Sequence, residues 1–224
     1  MPATRRRASG RRILFLAPEG LPFVAVGLVV ALVVALLSVP VGVGLAVLAL
    51  LVGAFFRDPD RTVPEGAGLV VAPADGKVVI VEPTPEGHYA GPGMTQISTF
   101  LSILDVHVNR TPIAGTIGEV EYHPGSFLPA FNDKASLRNE QNRVTVEGPE
   151  GRIVVTQIAG IVARRIVFRL QPGDEVHRGD RIGLIRFGSR LDVFVPTGSD
   201  VKVSVGERVR AGASVLAVLP GATP

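Results

Sequence analysis

Gly183-Leu-Ile-Arg-Phe-Gly-Ser-Arg-Leu-Asp-Val-Phe-Val-Pro196 is the stretch on which the fold turns. Its pattern predicts two short strands, residues 182–186 and 191–195, meeting at Phe187-Gly188-Ser189-Arg190. Leu191, Val193 and Val195 alternate with Asp192 and Phe194, the period of a half-buried strand. Gly188-Ser189 has two readings. As a tight turn, glycine accepts φ > 0 and serine bonds its own backbone. As a self-cleaving bond, the serine hydroxyl attacks the carbonyl of the preceding residue, where glycine has no side chain to obstruct it. These residues alone leave both readings open.

The chain has 224 residues, enough for one moderate domain or a small domain with an anchor. Cysteine is absent, which excludes disulfides, thiolate metal sites and a cysteine nucleophile. The net charge is only +3, and no basic-aromatic stripe accompanies the arginines, so nucleic acid is not an expected partner.

Residues 1–20 form a basic N-terminal segment with Arg5, Arg6, Arg7, Arg11 and Arg12. Residues 21–56 then carry no charge at all. A helical bilayer crossing takes about 20 apolar residues. The block therefore predicts two short crossings, 21–39 and 41–56, hinged at Ser38-Val39-Pro40. Arg57 and Arg61 follow directly, and arginines on both flanks fit a membrane hairpin with both ends on the cytoplasmic side. A signal peptide fits less well, because the block is too long and lacks a small-residue cleavage site.

From residue 57 to 224, Gly, Pro and short Val/Ile runs replace the apolar block and predict a β-rich domain. Strands are expected near 69–72, 77–81, 96–101, 105–110, 116–121 and 161–170, with a hairpin of 143–147 and 153–158. Gly173-Asp-Glu-Val-His-Arg-Gly-Asp-Arg-Ile182 matches Gly206-Glu-Arg-Val-Arg-Ala-Gly-Ala-Ser-Val215 in spacing. This pattern recurs in flattened β-barrels of the lipoyl and biotinyl carrier type. It predicts two similar hairpins sharing one core, in a flattened barrel or sandwich.

Of the histidines, His88 and His177 sit among Gly, Pro and charge, and His123 at a loop entry. His107 stands in a β-rich stretch with Asp105 two residues earlier on the same face. No metal is expected, because no closely spaced histidine pair exists.

Further motifs follow one another along the chain: Phe56-Arg-Asp-Pro59, Ala72-Pro-Ala-Asp-Gly-Lys77, Leu104-Asp-Val-His-Val-Asn-Arg-Thr-Pro112, Tyr122-His-Pro-Gly125, Asn139-Glu140, Gln157-Ile-Ala-Gly-Ile-Val-Ala-Arg-Arg165 and Phe187-Gly-Ser-Arg190. Each is weak; the ordered series resembles the short form of phosphatidylserine decarboxylase, over roughly residues 20–217.

The resemblance implies a membrane lyase that converts phosphatidylserine to phosphatidylethanolamine. Ser189 would attack the Gly188 carbonyl, and elimination with loss of ammonia would leave a pyruvoyl group at residue 189. That covalent cofactor would form a Schiff base with the substrate amine. Large and small chains, 1–188 and 189–224, would stay together, with homodimerisation left open. Asp75 matches the family's processing acid and His107 the first histidine of its Asp-x-His-x-x-His pattern; Arg110 replaces the second. Arg138 or Arg143 could meet the lipid phosphate, and Phe127, Leu128 and Phe131 could dip into the bilayer interface. The alternative is a carrier or adaptor module without catalysis. Against it, Lys77, Lys134 and Lys202 are the only lysines, and none occupies a carrier-type turn between the repeats.

Overall fold

The computed structural model describes residues 15–125, 139–160, 166–186 and 188–221. They fall into two compact units, one ending at Asp60 and the other beginning at Arg61.

The first unit contains α1 (Leu21–Ala35) and α2 (Val39–Phe55). The bend falls at Leu36–Ser38, ahead of the hinge expected at Ser38-Val39-Pro40, because Pro40 lies within the first turn of α2. Proline lacks an N–H, and the first helical turn has no intrahelical use for one. The helices meet at small residues: a Cβ on Gly27 would lie 2.7 Å from the Ala49 Cβ, and one on Gly42 would lie 2.4 Å from the Ala35 Cβ. Such contacts let helix backbones approach closely where hydrophobicity gives no net pull, as in lipid. Their outer faces expose Leu and Val, including Leu32, Val33 and Leu51. Pro18–Ala35 is long and apolar enough to cross a membrane.

The second unit is mainly β. In chain order its strands are β1 (Leu69–Val71), β2 (Gly76–Pro83), β3 (Met94–Leu101), β4 (Val108–Arg110), β5 (Gly115–His123), β6 (Gln141–Gly148), β7 (Gly151–Ala159), β8 (Ile166–Phe168), β9 (Glu175–Val176), β10 (Arg181–Ile185), β11 (Ser189–Pro196), β12 (Asp200–Val201), β13 (Arg208–Val209) and β14 (Val215–Val218). Eight make one antiparallel sheet in the order β13-β2-β3-β11-β7-β6-β5-β9. Two three-stranded sheets accompany it, β1-β14-β12 and β4-β10-β8. The β6–β7 hairpin closes at Gly148 and Gly151, as expected from sequence.

Three expectations are corrected. β10 and β11 do not fold back on each other at residues 187–190. β10 pairs with β4 and β8, whereas β11 pairs with β3 and β7, so the chain crosses between sheets there. Nor is β11 half-buried: Ser189 to Val195 are all buried. Leu191, Val193 and Val195 enter the main core with Val70, Ile97, Val155 and Leu216, between the large sheet and the β1-β14-β12 sheet. Arg190, Asp192 and Phe194 are covered on the other face. Third, the glycine repeats are not hairpins. β9 pairs with β5 while β10 pairs with β4, and β13 pairs with β2 while β14 pairs with β1. The repeated turns survive, but each flanking strand finds more buried partners in other elements than its neighbour could offer.

Gly183 sits where β10 runs closest to β8; a Cβ there would lie 1.9 Å from the Val167 carbonyl oxygen. Backbone cannot yield as a flexible side chain can. Gly183→Ala should therefore destabilise the β unit by roughly 3 kcal/mol, read as a lowered thermal midpoint in detergent.

Candidate functional site

Ser189 opens β11 and is fully buried. Its backbone faces Leu101 of β3 on one side and Ala159 of β7 on the other. Its Oγ is also buried, and makes no hydrogen bond among the described residues. Burying a hydroxyl without a partner costs roughly 1–3 kcal/mol. Gly188 just before it has φ +62°, and a Cβ there would meet nothing within 4 Å. The left-handed conformation is open to glycine at little cost. One side of the 188–189 bond is thus held by a sheet, and the other lies in a crossover that glycine alone enters easily. Phe187 lies outside the described residues.

His107 is buried ahead of β4. Its carbonyl accepts a hydrogen bond from Ile185 N at 3.4 Å, which sets it beside the end of β10, where the chain leaves for Gly188 and Ser189. Nδ1 lies 2.9 Å from the Asp105 carbonyl oxygen. A carbonyl only accepts, so Nδ1 carries the hydrogen and the neutral ring has Nε2 as its basic nitrogen. The shared Asp105–His107 face expected from sequence is therefore a main-chain contact. The Asp105 carboxylate works elsewhere: Oδ2 accepts from Ser102 N at 2.8 Å and Ser102 Oγ at 2.6 Å, and Oδ1 accepts from Arg208 at 3.1 Å. Burial opposes its ionisation, but the Ser102 hydrogen bonds and Arg208 outweigh burial and hold its carboxyl below the ordinary value.

Asp75 precedes β2 and contacts neither of these residues among the described hydrogen bonds. Arg61 donates to its Oδ2 at 2.7 Å and Ala211 N to its Oδ1 at 2.8 Å. Arg110 donates from its backbone N to the Pro73 carbonyl and from Nη1 to the Gly179 carbonyl. A cleft of about 610 Å³ lies alongside, lined by Asp75, Asp105, Arg208, Arg210 and Ser214. Its volume is in the range of small-molecule sites.

Arg143 stands apart from Ser189. It is paired with Thr156, which faces Asp192, on the sheet face opposite the Leu191 side. Its guanidinium lies 3.7 Å from the centre of the Tyr89 ring. Burial raises the Tyr89 phenol above its ordinary value, with Asp192 adding to the effect. Arg138, Phe127, Leu128 and Phe131 lie outside the described residues.

Two features escape single-residue reading. Arg190 donates from Nε and Nη2 to Asp192 Oδ1 and Oδ2 at 2.9 and 3.0 Å, a bidentate pair inside the central strand, and Gln96 adds a third donor to Asp192 at 3.1 Å. An Arg-x-Asp pair in a strand shares a face by its spacing, so the proximity was legible in sequence, but its burial was not. Next to the Ser189–Ala159 pair runs an amide ladder from Gln157, the partner of Leu191: Asn142 donates to Gln157 at 3.1 Å, and Gln157 donates to Asn109 at 2.8 Å. Asn139 Nδ2 donates to the carbonyl of Ala159, the β7 residue facing Ser189, at 2.7 Å.

The phosphatidylserine decarboxylase family model matches residues 48–217. A phosphatidylserine decarboxylase proenzyme of Burkholderia mallei is 46% identical over 210 residues, covering 92% of this chain and 95% of that protein. One from Burkholderia pseudomallei matches to the same extent, and one from Burkholderia cenocepacia is 45% identical over 209 residues, covering 91% and 96%.

Two outcomes are expected. Removing one member of the buried Arg190–Asp192 pair, as in Arg190→Leu, should cost about 3–5 kcal/mol of stability, because the other charge stays buried alone; Arg190→Leu with Asp192→Leu should recover much of this in thermal melts. The depressed Asp105 carboxyl is ionised more readily folded than unfolded. Its contribution is thus complete above the ordinary value of 3.8 and is lost as pH falls below it, so a stability–pH titration should show Asp105→Asn removing part of an acid limb and leaving the slope at pH 5–8 unchanged.

Proposed function

The chain belongs to the phosphatidylserine decarboxylase family, and we propose that it is made as a proenzyme, cuts itself between Gly188 and Ser189, and then releases CO₂ from phosphatidylserine to leave phosphatidylethanolamine. The observation that carries this reading is the fully buried Ser189 hydroxyl, without a hydrogen bond among the described residues, directly after a left-handed glycine.

Self-cleavage is a rearrangement of the chain's own atoms. Ser189 Oγ gives up its proton and attacks the Gly188 carbonyl carbon. The peptide C–N bond breaks, the residue 189 nitrogen takes a proton, and an ester joins the two halves. Loss of the Ser189 α-proton then expels the Gly188 carboxylate. Water replaces the nitrogen, which leaves as ammonia, and a ketone remains on residue 189. Those atoms suit the position: Gly188 gives unhindered access, and hydrogen bonds from β3 and β7 keep residue 189 in place when the chain upstream is cut. The pyruvoyl ketone supplies an electron sink for breaking the carbon–carboxylate bond.

His107 is the proposed proton carrier, since its Nδ1 contact fixes Nε2 as the basic nitrogen. It would take the serine proton during processing and later deliver one to the carbon that has lost CO₂. Asp75 is assigned to processing by its family motif. Its bonds to Arg61 and Ala211 N in this structure support a role in shaping the cleft rather than in direct contact with the imidazole. The apolar helices are proposed as a membrane anchor, with the β unit on the cytoplasmic side. Flanking arginines support that orientation.

Intact-mass measurement of purified protein tests the reading. Two chains are expected, 1–188 and 189–224, the smaller refractory to Edman degradation, with CO₂ release from phosphatidylserine. Ser189→Ala should stay uncut and inactive. A single intact chain in active material would overturn the assignment.

A further inference from the structure

The turn that joins β3 to the segment carrying His107 ends in two bare apolar side chains. Ile103 is 57% exposed and Leu104 is 82% exposed. One exposed leucine is ordinary on a protein surface. Here two adjoin, and the other exposed large apolar residues among the described part of the β unit, Tyr122 and Val205, lie elsewhere in the chain. The turn is also held firmly. The Asp105 carboxylate accepts from both Ser102 N and Ser102 Oγ, the Asp105 backbone N donates to the Ser102 carbonyl at 3.0 Å, and Arg208 ties the turn to β13. A closed, capped turn holds the two side chains outward at little further entropy cost.

The surroundings are basic. The cleft beside the turn is lined by the carboxylates of Asp75 and Asp105 and the guanidiniums of Arg208 and Arg210, and Arg61 bonds Asp75. Arg61 is bonded to Asp75 and Arg208 to Asp105. Arg210 makes no ion pair among the described residues and is exposed, so the rim keeps one uncompensated positive charge. An apolar tip beside a basic rim matches the layering of an anionic bilayer, with acyl chains beneath phosphates.

We propose that Ile103 and Leu104 form a wedge that dips into an anionic lipid surface, with Arg208 and Arg210 meeting headgroup phosphates, so that the cleft beside them opens at the bilayer. Because His107 Nδ1 bonds the Asp105 carbonyl, the wedge and the proton carrier belong to one short rigid segment. A lipid raised slightly from the bilayer then meets the cleft without crossing water. The inference rests on the decarboxylase reading for its substrate, but not for its test.

The chain contains no tryptophan, so Leu104→Trp in the full-length protein gives a single fluorescent reporter. In nanodiscs of phosphatidylcholine and phosphatidylserine, Trp emission should shift to the blue, and acyl-chain-brominated lipid should quench it roughly two-fold, since such wedges sit about 5–10 Å deep at the headgroup boundary. Water-like, unquenched emission overturns the proposal. So does blue-shifted emission that brominated lipid leaves unquenched, which would mean that protein covers the tip. In a second arm, the double variant Ile103→Ser with Leu104→Ser should lower the ratio of turnover on nanodisc phosphatidylserine to turnover on monomeric dihexanoyl phosphatidylserine by about ten-fold. An unchanged ratio counts against the wedge. If the unmodified protein decarboxylates neither lipid, the functional reading fails, while the quenching result still decides the docking surface.

Discussion

The structure depends on one strand being pinned from both sides. β11 hydrogen-bonds to β3 along its whole length and to β7 over Ser189 to Phe194. One of its faces supplies Leu191, Val193 and Val195 to the main core, where each buried side chain contributes roughly 1.5–3 kcal/mol. The other face buries the Arg190–Asp192 pair. An ion pair of this kind gives little net stability against an apolar substitute, but a register slipped by one residue would turn the pair into the apolar core and away from Gln96. Residue 189 therefore has a fixed address that does not depend on the chain before it. For a protein proposed to cut itself at that residue, this separates what must stay rigid from what is released.

The second sheet brings another segment to the same crossover. β10 ends where the chain crosses over to β11, and the His107 carbonyl bonds Ile185 just before the crossing. His107 thus lies beside the end of β10, from which the chain leaves for Gly188 and Ser189. The Ser102–Asp105 turn sets the entry to His107, and its carboxylate is spent on holding the turn rather than on the imidazole. Asp75, held by Arg61 and Ala211 N, bounds the neighbouring cleft.

The helical unit solves a separate problem. Its contact face is built from Gly27, Gly42, Ala35 and Ala49, and bulky aliphatic residues point outward. Small residues at the contact let the two backbones approach closely, and Phe55 and Phe56 are buried at the end of the pair.

Much was determined by sequence because it depends on local order along the chain. The uncharged block at 21–56, the β-rich remainder, the Gly148–Gly151 hairpin and the Gly188-Ser189 dipeptide need no distant partner to be recognised. The same holds for the ordered motifs that resemble the decarboxylase family. Tertiary structure decided whatever depends on which strand lies beside which. Alternation in 191–195 suggested a strand with one wet face, yet Arg190 and Asp192 neutralise each other and let the second face be buried too. The glycine repeats suggested hairpins, yet their strands pair with β5, β4, β2 and β1. Which groups hold Asp75 and His107 was likewise invisible in the sequence: Arg61 and Ala211 N bond the first, and the Asp105 carbonyl bonds the second. Period and composition fix what a segment can become, but its neighbours are chosen by burial and hydrogen-bond satisfaction summed over the whole chain, and no local pattern contains that sum.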